Sequence, residues 1–541
     1  MFIKITKSGK YKYAQLVKSY RKDGETKHKV MLNLGRLDYI ENNPSFQNLG
    51  RRLLEISKAE KAVNIDNISE AEIMNYGYMI YKRLFEKFGL SEILDNVEKR
   101  LKIKYSLKDA VFLMMIYHLL SPRSKLSGYK HQGDFVKLPE VELQYLYRAL
   151  DVLNEYKEEF EERIFVRNRH LFNMQVDVVF YDVTTFSFES VKRDSLREFG
   201  YSKDGKFKEV QVVMGLLIDC EGRPIGYELF PGNTFEGETL VKALEKLEKR
   251  FGIRKVVIVA DRGINNKINL KRIVEKGYKY IVAKRIKRME KGITEEMFKQ
   301  SGYQEIMDGE ESIRYKIIDY VNEIRIKGEG VYGIKEKLII TYSEKRAEKD
   351  RADRERLIEK ARKLLEEPSR IKANYKRGGR KYIKELNRVE WSLDEKAIER
   401  DSRYDGYYGI ETNEEDISPR KILEAYHGLW KIEESFRIMK SNMEVRPIYH
   451  WTESRIKGHF VVSFFAFLML RTLEYKLKRA GIKSSPDKIR EAINSMNFAK
   501  IKIEGRDYLV KTKSKDLANK IIRALRIKPM KNVVSYDELK I

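Results

Sequence analysis

The hydrophobic period changes three times along the chain, and each change predicts a different kind of element. Two segments rich in Tyr, Val, Leu and Lys, residues 10–19 and 27–34, flank a stretch containing Asp23-Gly24. This predicts a β-hairpin, because glycine supplies the backbone conformation a tight turn needs. Lys and Arg punctuate both strands, so the ribbon suits a phosphate backbone as well as it suits water. From about 69 to 173 apolar residues recur at helical spacing (Met79, Ile80, Leu84, Phe85, Phe88, then Leu107, Val111, Phe112, Met115, Leu119), which predicts a helical module. A basic segment, 121–130, lies between its helices, placed either to dock on DNA or to serve as an ordinary loop. β-Branched and aromatic runs follow at 176–181, 210–218, 256–260 and 280–283. Short apolar strands mixed with helices predict an α/β or mixed α+β core with a covered sheet.

Between about 286 and 403 the composition turns polar, with weak strands at 312–325 and 336–342 and a mixed-charge run at 345–365 that reads as a solvated helix. This predicts an insertion within the core, which resumes at Tyr407-Tyr408-Gly409-Ile410. The expected organisation is a basic hairpin region (1–68), a helical DNA-binding module (69–173), a core (174–287), an insertion (288–404), the rest of the core (405–476) and a basic C-terminal region (477–541). The last contains a helix, a hairpin around Glu504-Gly505 and a short helix at 518–525. The run 460–470, apolar apart from Ser463, is too short to span a bilayer and predicts a buried core helix.

Charge narrows the partner. Lys plus Arg number 109 against 82 Asp plus Glu, a net +27 over 541 residues. Such an excess repels itself unless a polyanion offsets it, so nucleic acid is the default partner. No apolar run reaches the length of a membrane span and no signal-peptide core is seen, so a cytoplasmic protein without a membrane partner is expected. The abundance of Lys, Ile and Tyr is compatible with an AT-rich prokaryotic genome. A single cysteine, Cys220, leaves metal binding to oxygen or histidine ligands.

Several motifs fail on mechanism. Gly200-Tyr201-Ser202-Lys203-Asp204-Gly205-Lys206 fits the start of a phosphate-binding loop, but Phe207 follows where a hydroxyl must hold magnesium. The seven histidines form no His-x-His, His-Glu-x-x-His or His-x-x-Arg, and there is no Gly-x-Ser-x-Gly elbow. What remains is carboxylates. Asp182 follows the apolar run Val178-Val179-Phe180-Tyr181, and Asp261 follows Val256-Val257-Ile258-Val259-Ala260, so both are expected at the carboxyl ends of buried strands, where sites in open sheets gather. For either one alone, a turn or capping role is the simpler account. A helix beginning at Ser418-Pro419 repeats at Ile422, Tyr426, Leu429, Glu433, Phe436 and Lys440, which puts Glu433 on an inward stripe. There it must pair, for instance with Lys440 or Arg437, or bind metal. Two aspartates and a glutamate together make an oxygen-ligand set suited to Mg²⁺ or Mn²⁺, and such a site can hold two ions for displacement at phosphorus. With a charge of +27, a DNA phosphodiester is the simplest substrate.

The stretches Tyr181-Asp182-Val183-Thr184-Thr185 and Val259-Ala260-Asp261-Arg262-Gly263 carry a family resemblance. So does the run from Tyr426-His427-Gly428-Leu429-Trp430 through Glu433 and Phe436-Arg437 to Lys440. Together they resemble the insertion-sequence DDE transposases with the Tyr-Arg-Glu-Lys signature, and Gly200 to Asp204 and Pro231-Gly232-Asn233-Thr234 look like connecting motifs of the same group. The resemblance implies an RNase H-like catalytic core interrupted by a largely β insertion, with Asp182, Asp261 and Glu433 as the metal triad and Tyr426 and Lys440 on the DNA backbone. It also implies an enzyme that binds terminal inverted repeats, cuts by metal-dependent hydrolysis and joins the freed 3′-hydroxyl to target DNA, working as a homodimer. One position departs: the signature asks for Arg where Leu429 stands. That contact is either absent or supplied by Arg437 or Lys431, and a hairpin excision step is not inferred. Arg262 is a further candidate for the scissile phosphate, and Trp430 is expected to pack in the core. A nuclease that cuts without joining, or an idle DNA-binding regulator, are the competing readings.

Overall fold

The structure is a computed structural model that describes residues 1–22, 25–56, 71–171, 178–201, 208–251, 257–260, 266–308, 311–326, 330–366, 378–386, 390–503 and 505–540. Asp23-Gly24, Ser202–Phe207, Asp261, Arg262 and Glu504 therefore lie outside the described residues. The chain divides into two compact units.

One unit comprises residues 1–73, 498–511 and 531–540. The expected hairpin is present as β2 (Tyr11–Lys22) and β3 (Glu25–Arg36), and β1 (Phe2–Ser8), which the sequence reading missed, pairs antiparallel with β2. Among the described residues of this ribbon only Ala14 and Val17 are buried, so little apolar periodicity marked its first strand. The C-terminal hairpin forms from β16 (Asn497–Ile503) and β17 (Arg506–Lys511), and β18 (Val533–Ser535) pairs with β17.

The other unit comprises residues 74–497 and 512–530. Its helical part runs through Met79–Lys87, Leu90–Leu101, Leu107–Leu120, Lys125–Lys130, Leu143–Glu155 and Lys157–Leu171. A nine-stranded sheet forms its centre, and its core contains β5 (Val178–Ser187), β6 (Gln211–Asp219), β7 (Pro224–Pro231), β8 (Val257–Ala260) and β9 (Lys279–Lys284). The core order is β7-β6-β5-β8-β9: β5, β6 and β7 are antiparallel neighbours, while β5–β8 and β8–β9 are parallel. Helices Glu236–Phe251 and Lys267–Glu275 supply the crossovers that parallel pairs require. Three antiparallel strands followed by two parallel crossovers give an RNase H-like sheet in a mixed α+β fold.

The strands expected at 312–325 and 336–342 are β11 (Glu311–Ile326) and β12 (Gly330–Tyr342), preceded by β10 (Gln304–Asp308). They continue the same sheet, because β15 (Tyr407–Thr412) pairs antiparallel with both β9 and β12. The helix Glu344–Glu366, the hairpin β13 (Ile383–Glu385) and β14 (Trp391–Leu393), and the helix Glu395–Ser402 fill the connection.

The apolar run 460–470 sits inside the helix Glu453–Arg479, capped by Thr452, whose side chain accepts from the Arg455 N–H. This helix has the length and apolarity to cross a membrane, but 94% of its apolar window is buried inside the protein. It packs against Leu143–Glu155 and Leu107–Leu120 on one side and against β7 on another. Gly458 permits the first contact, since a Cβ there would stand 2.0 Å from the Leu150 carbonyl oxygen. The helix Leu107–Leu120 is apolar nearly all round and is buried accordingly.

Candidate functional site

Asp182 is half-buried at the fifth position of β5. It does not close its strand as expected, because residues 183–187 go on pairing with β6. Among the described residues parallel pairing with β8 runs as far as Tyr181 opposite Ala260. The Asp182 Oδ1 accepts from the Val183 N–H at 2.7 Å. Side chains alternate along a strand, so Phe180, Asp182, Thr184 and Phe186 share one face.

That face is spanned by the segment carrying Glu433. At one end Gly428 rests on Phe180, with room for no Cβ: one would fall 2.6 Å from the ring. At the other, the Lys440 ammonium lies 5.7 Å from the Phe186 ring centre. Between these two contacts the helix Trp430–Arg437 packs against β5. Arg471, 8% exposed, secures it by pairing with Glu434 at 3.2 Å and Glu474 at 2.9 Å while donating to the Gly222 carbonyl at 3.0 Å. Burial raises the Glu474 carboxyl above its usual range.

The single helix expected from Pro419 to Lys440 is instead three pieces: Pro419–His427, Trp430–Arg437 and a π-helical turn Ile438–Asn442. The break at Gly428 shifts the buried face to Ile432, Ser435 and Phe436. Glu433 is consequently exposed and not on an inward stripe, and Trp430, expected in the core, is 56% exposed. No ion pair joins Glu433 to a described residue: Arg437 lies 3.5 Å from Glu434 and is 72% exposed. Leu429 is buried, and the Lys431 ammonium donates to the Cys220 carbonyl, so of the two bases considered for the missing arginine Arg437 is the exposed one.

Tyr426 lies in the last turn of the helix Pro419–His427, its hydroxyl bonded to that of Tyr408 with ring centres 5.6 Å apart. Both line a cavity of about 390 Å³ with Lys345, Arg346 and Lys349. Arg346 also stacks 4.2 Å over the Tyr408 ring. The helix read as merely solvated therefore sets three cations beside Tyr426. The cue in the sequence was their spacing at i, i+1 and i+4, one flank of a helix. Among the described residues no three acidic, cysteine or histidine side chains converge as a metal site. The described part of β8 runs to Ala260; Asp261 and Arg262, next in the chain, lie outside the described residues.

The N-terminal residues 3–64 match the model of the IS1634 family transposase N-terminal domain, and residues 175–469, more than half of the chain, match the transposase DDE domain. No curated protein matches the chain. Among solved structures, the piggyBac transposase synaptic complex with hairpin DNA aligns with 79% of this chain and 82% of its own at 10% identity, TM-score 0.36. The Mos1 transposase paired-end complex with left transposon end aligns over 44% and 68% at 13% identity, TM-score 0.15. Neither likeness is close enough to add to the family match. A DDE domain over the RNase H-like sheet, behind an insertion-sequence N-terminal domain, makes this chain a member of the insertion-sequence DDE transposases, enzymes that act on DNA.

Proposed function

We propose that the chain binds the terminal inverted repeats of its element, cuts them by metal-dependent hydrolysis and joins the 3′-ends to target DNA by direct transesterification. The reading rests on one observation: the β5 face bearing Asp182 is bracketed by Gly428 on Phe180 and Lys440 on Phe186, with Glu433 on the helix between. Asp182, Asp261 and Glu433 would hold the cations, Mg²⁺ or Mn²⁺ and two in number, and their all-oxygen donor set fits such hard ions. Tyr181 opposite Ala260 supports the assignment, since each immediately precedes an aspartate. When bound, the cations supply a nucleophile at neutral pH and stabilise the leaving oxygen.

Tyr426, Lys440, Arg437 and Arg262 are assigned to the DNA backbone, where cations neutralise phosphates. Exposure of Trp430, Glu433 and Arg437 leaves that flank open to a duplex. Two ends must be brought together, so the active form is a homodimer, acting in the cytoplasm of a prokaryotic cell. The test is a labelled duplex carrying the DNA that flanks this gene, incubated with Mg²⁺ or Mn²⁺. Cuts at a fixed position and joined products are expected, both lost in Glu433→Gln. Cutting without joining would reduce the protein to a nuclease; binding by folded protein without any cutting would make it an idle regulator.

A further inference from the structure

A second concentration of basic groups lies away from the carboxylates, in a cavity of about 560 Å³ whose wall includes His118, Arg123, Lys125, Arg446, His450 and His459. Its centre is Lys125, 7% exposed, on the short helix Lys125–Lys130 that the sequence left as a basic linker. The ammonium nitrogen stands 3.3 Å from His118 Nε2 and 3.3 Å from His459 Nδ1. Both rings have their other nitrogen on a main-chain carbonyl: His118 Nδ1 donates to Met443 at 3.0 Å and His459 Nε2 to Val445 at 2.9 Å. Each imidazole therefore turns a lone pair toward Lys125 and cannot supply negative charge.

A buried ammonium is normally matched by a carboxylate. Among the described residues none pairs with Lys125. Its amine is pushed down to about 7, with burial as the cause; burial first, and the Lys125 charge second, hold His118 and His450 near 3 and His459 well below the usual range. The charged groups around it are Arg123, which pairs with Asp134 at 3.2 Å, Arg446 and Glu444 on the loop after the glutamate-bearing helix, and Arg455 beside His450. Glu444 is the one carboxylate on the described cavity wall. Exposed Tyr449 and the Tyr147 ring add flat apolar surface of the kind that accompanies nucleotide strands.

We propose that this cavity receives a backbone phosphate of the DNA substrate, with Lys125 as its cationic floor and Arg446 at its rim. This rests on the DNA-transposase reading but not on the metal triad. The loop that fixes both histidines, Met443 to Val445, begins three residues after Lys440, so a strand lying along the glutamate-bearing helix would run on into the cavity. Phosphate supplies the missing anion, and Lys125 takes up a proton as it binds. Affinity for DNA then falls as pH rises through neutrality.

The test measures anisotropy of a labelled duplex carrying the gene's flanking DNA, across pH 6 to 9 and across salt, with inorganic phosphate titrated separately. Wild-type affinity is expected to weaken about tenfold from pH 6.5 to 8.5. Lys125→Met is expected to flatten that profile and to lower the slope of log affinity against log salt by about one phosphate's worth, roughly 0.9. If Lys125→Met does not fold, Arg446→Gln and the wild-type pH profile decide, with the same loss of slope expected. A folded Lys125→Met with wild-type pH and salt dependence overturns the proposal. So does a response to inorganic phosphate that leaves duplex binding untouched. If the wild type fails to bind the duplex at all, the DNA-transposase reading fails first, before the cavity is at issue.

Discussion

The Tyr320 hydroxyl lies between two buried carboxylates, Glu336 and Glu411, and it has one proton to give. Tyr280 and Asn322 also donate to Glu336, and the Lys284 ammonium sits on Glu411. Burial and the neighbouring Glu411 charge push the Glu336 carboxyl up to about 7, so near neutrality it still holds a proton that the unfolded chain has lost. A raised folded value means its contribution to stability is full below about pH 4.5 and gone once pH passes about 7, up to about 3 kcal/mol. Relative to Glu336→Gln, the wild type should therefore lose melting temperature as pH rises from 5 to 8; a difference between the two that does not change with pH would count against a shared proton. For the candidate site, Asp182→Asn should lower cleavage by about 100-fold or more, since a metal site stabilises the transition state by several kcal/mol. Duplex binding should be kept, and equal loss of both would mean a structural aspartate. Asp182 stood out in the sequence because an apolar strand leads into it. The exposure of Glu433 did not, because apolar spacing runs uninterrupted through Gly428 while the helix does not.

At the scale of elements, two glycines set distances that no other residue can. Gly428 lets the glutamate-bearing helix approach Phe180. Gly428→Ala should tilt that helix off β5, and cleavage should drop further than DNA binding when the two are assayed together. Gly458→Ala meets the Leu150 main chain instead, which cannot yield as a side-chain tip can. A loss of about 1–3 kcal/mol in urea unfolding is expected, the usual cost of overpacking. Strands and helices themselves were largely legible from periodicity, including the basic N-terminal ribbon and the interruption before β15. Their pairing was not: β11 and β12 read as weak polar strands and β10 was not read at all, yet all three extend the core sheet. Register between distant segments leaves no local trace in composition.

Over the whole molecule the +27 charge should make DNA a stabilising ligand. A duplex present at about 100 times its dissociation constant adds about 2.7 kcal/mol, so melting temperature should rise at low salt and the rise should vanish near 1 M salt. A rise that persists at high salt would point to apolar rather than phosphate contacts. The assignment of residues 498–511 and 531–540 to the same unit as the N-terminus was also beyond the sequence, since those strands are separated from it by more than four hundred residues. The helix Glu453–Arg479 has a consequence for how such chains recombine. One flank completes the packing of the helical module and another covers the RNase H-like sheet. A crossover placed between 171 and 178 would thus split two cores that share a wall. A chimaera that takes residues 74–171 from a relative must take 453–479 as well, so whatever that module recognises is inherited as a discontinuous block.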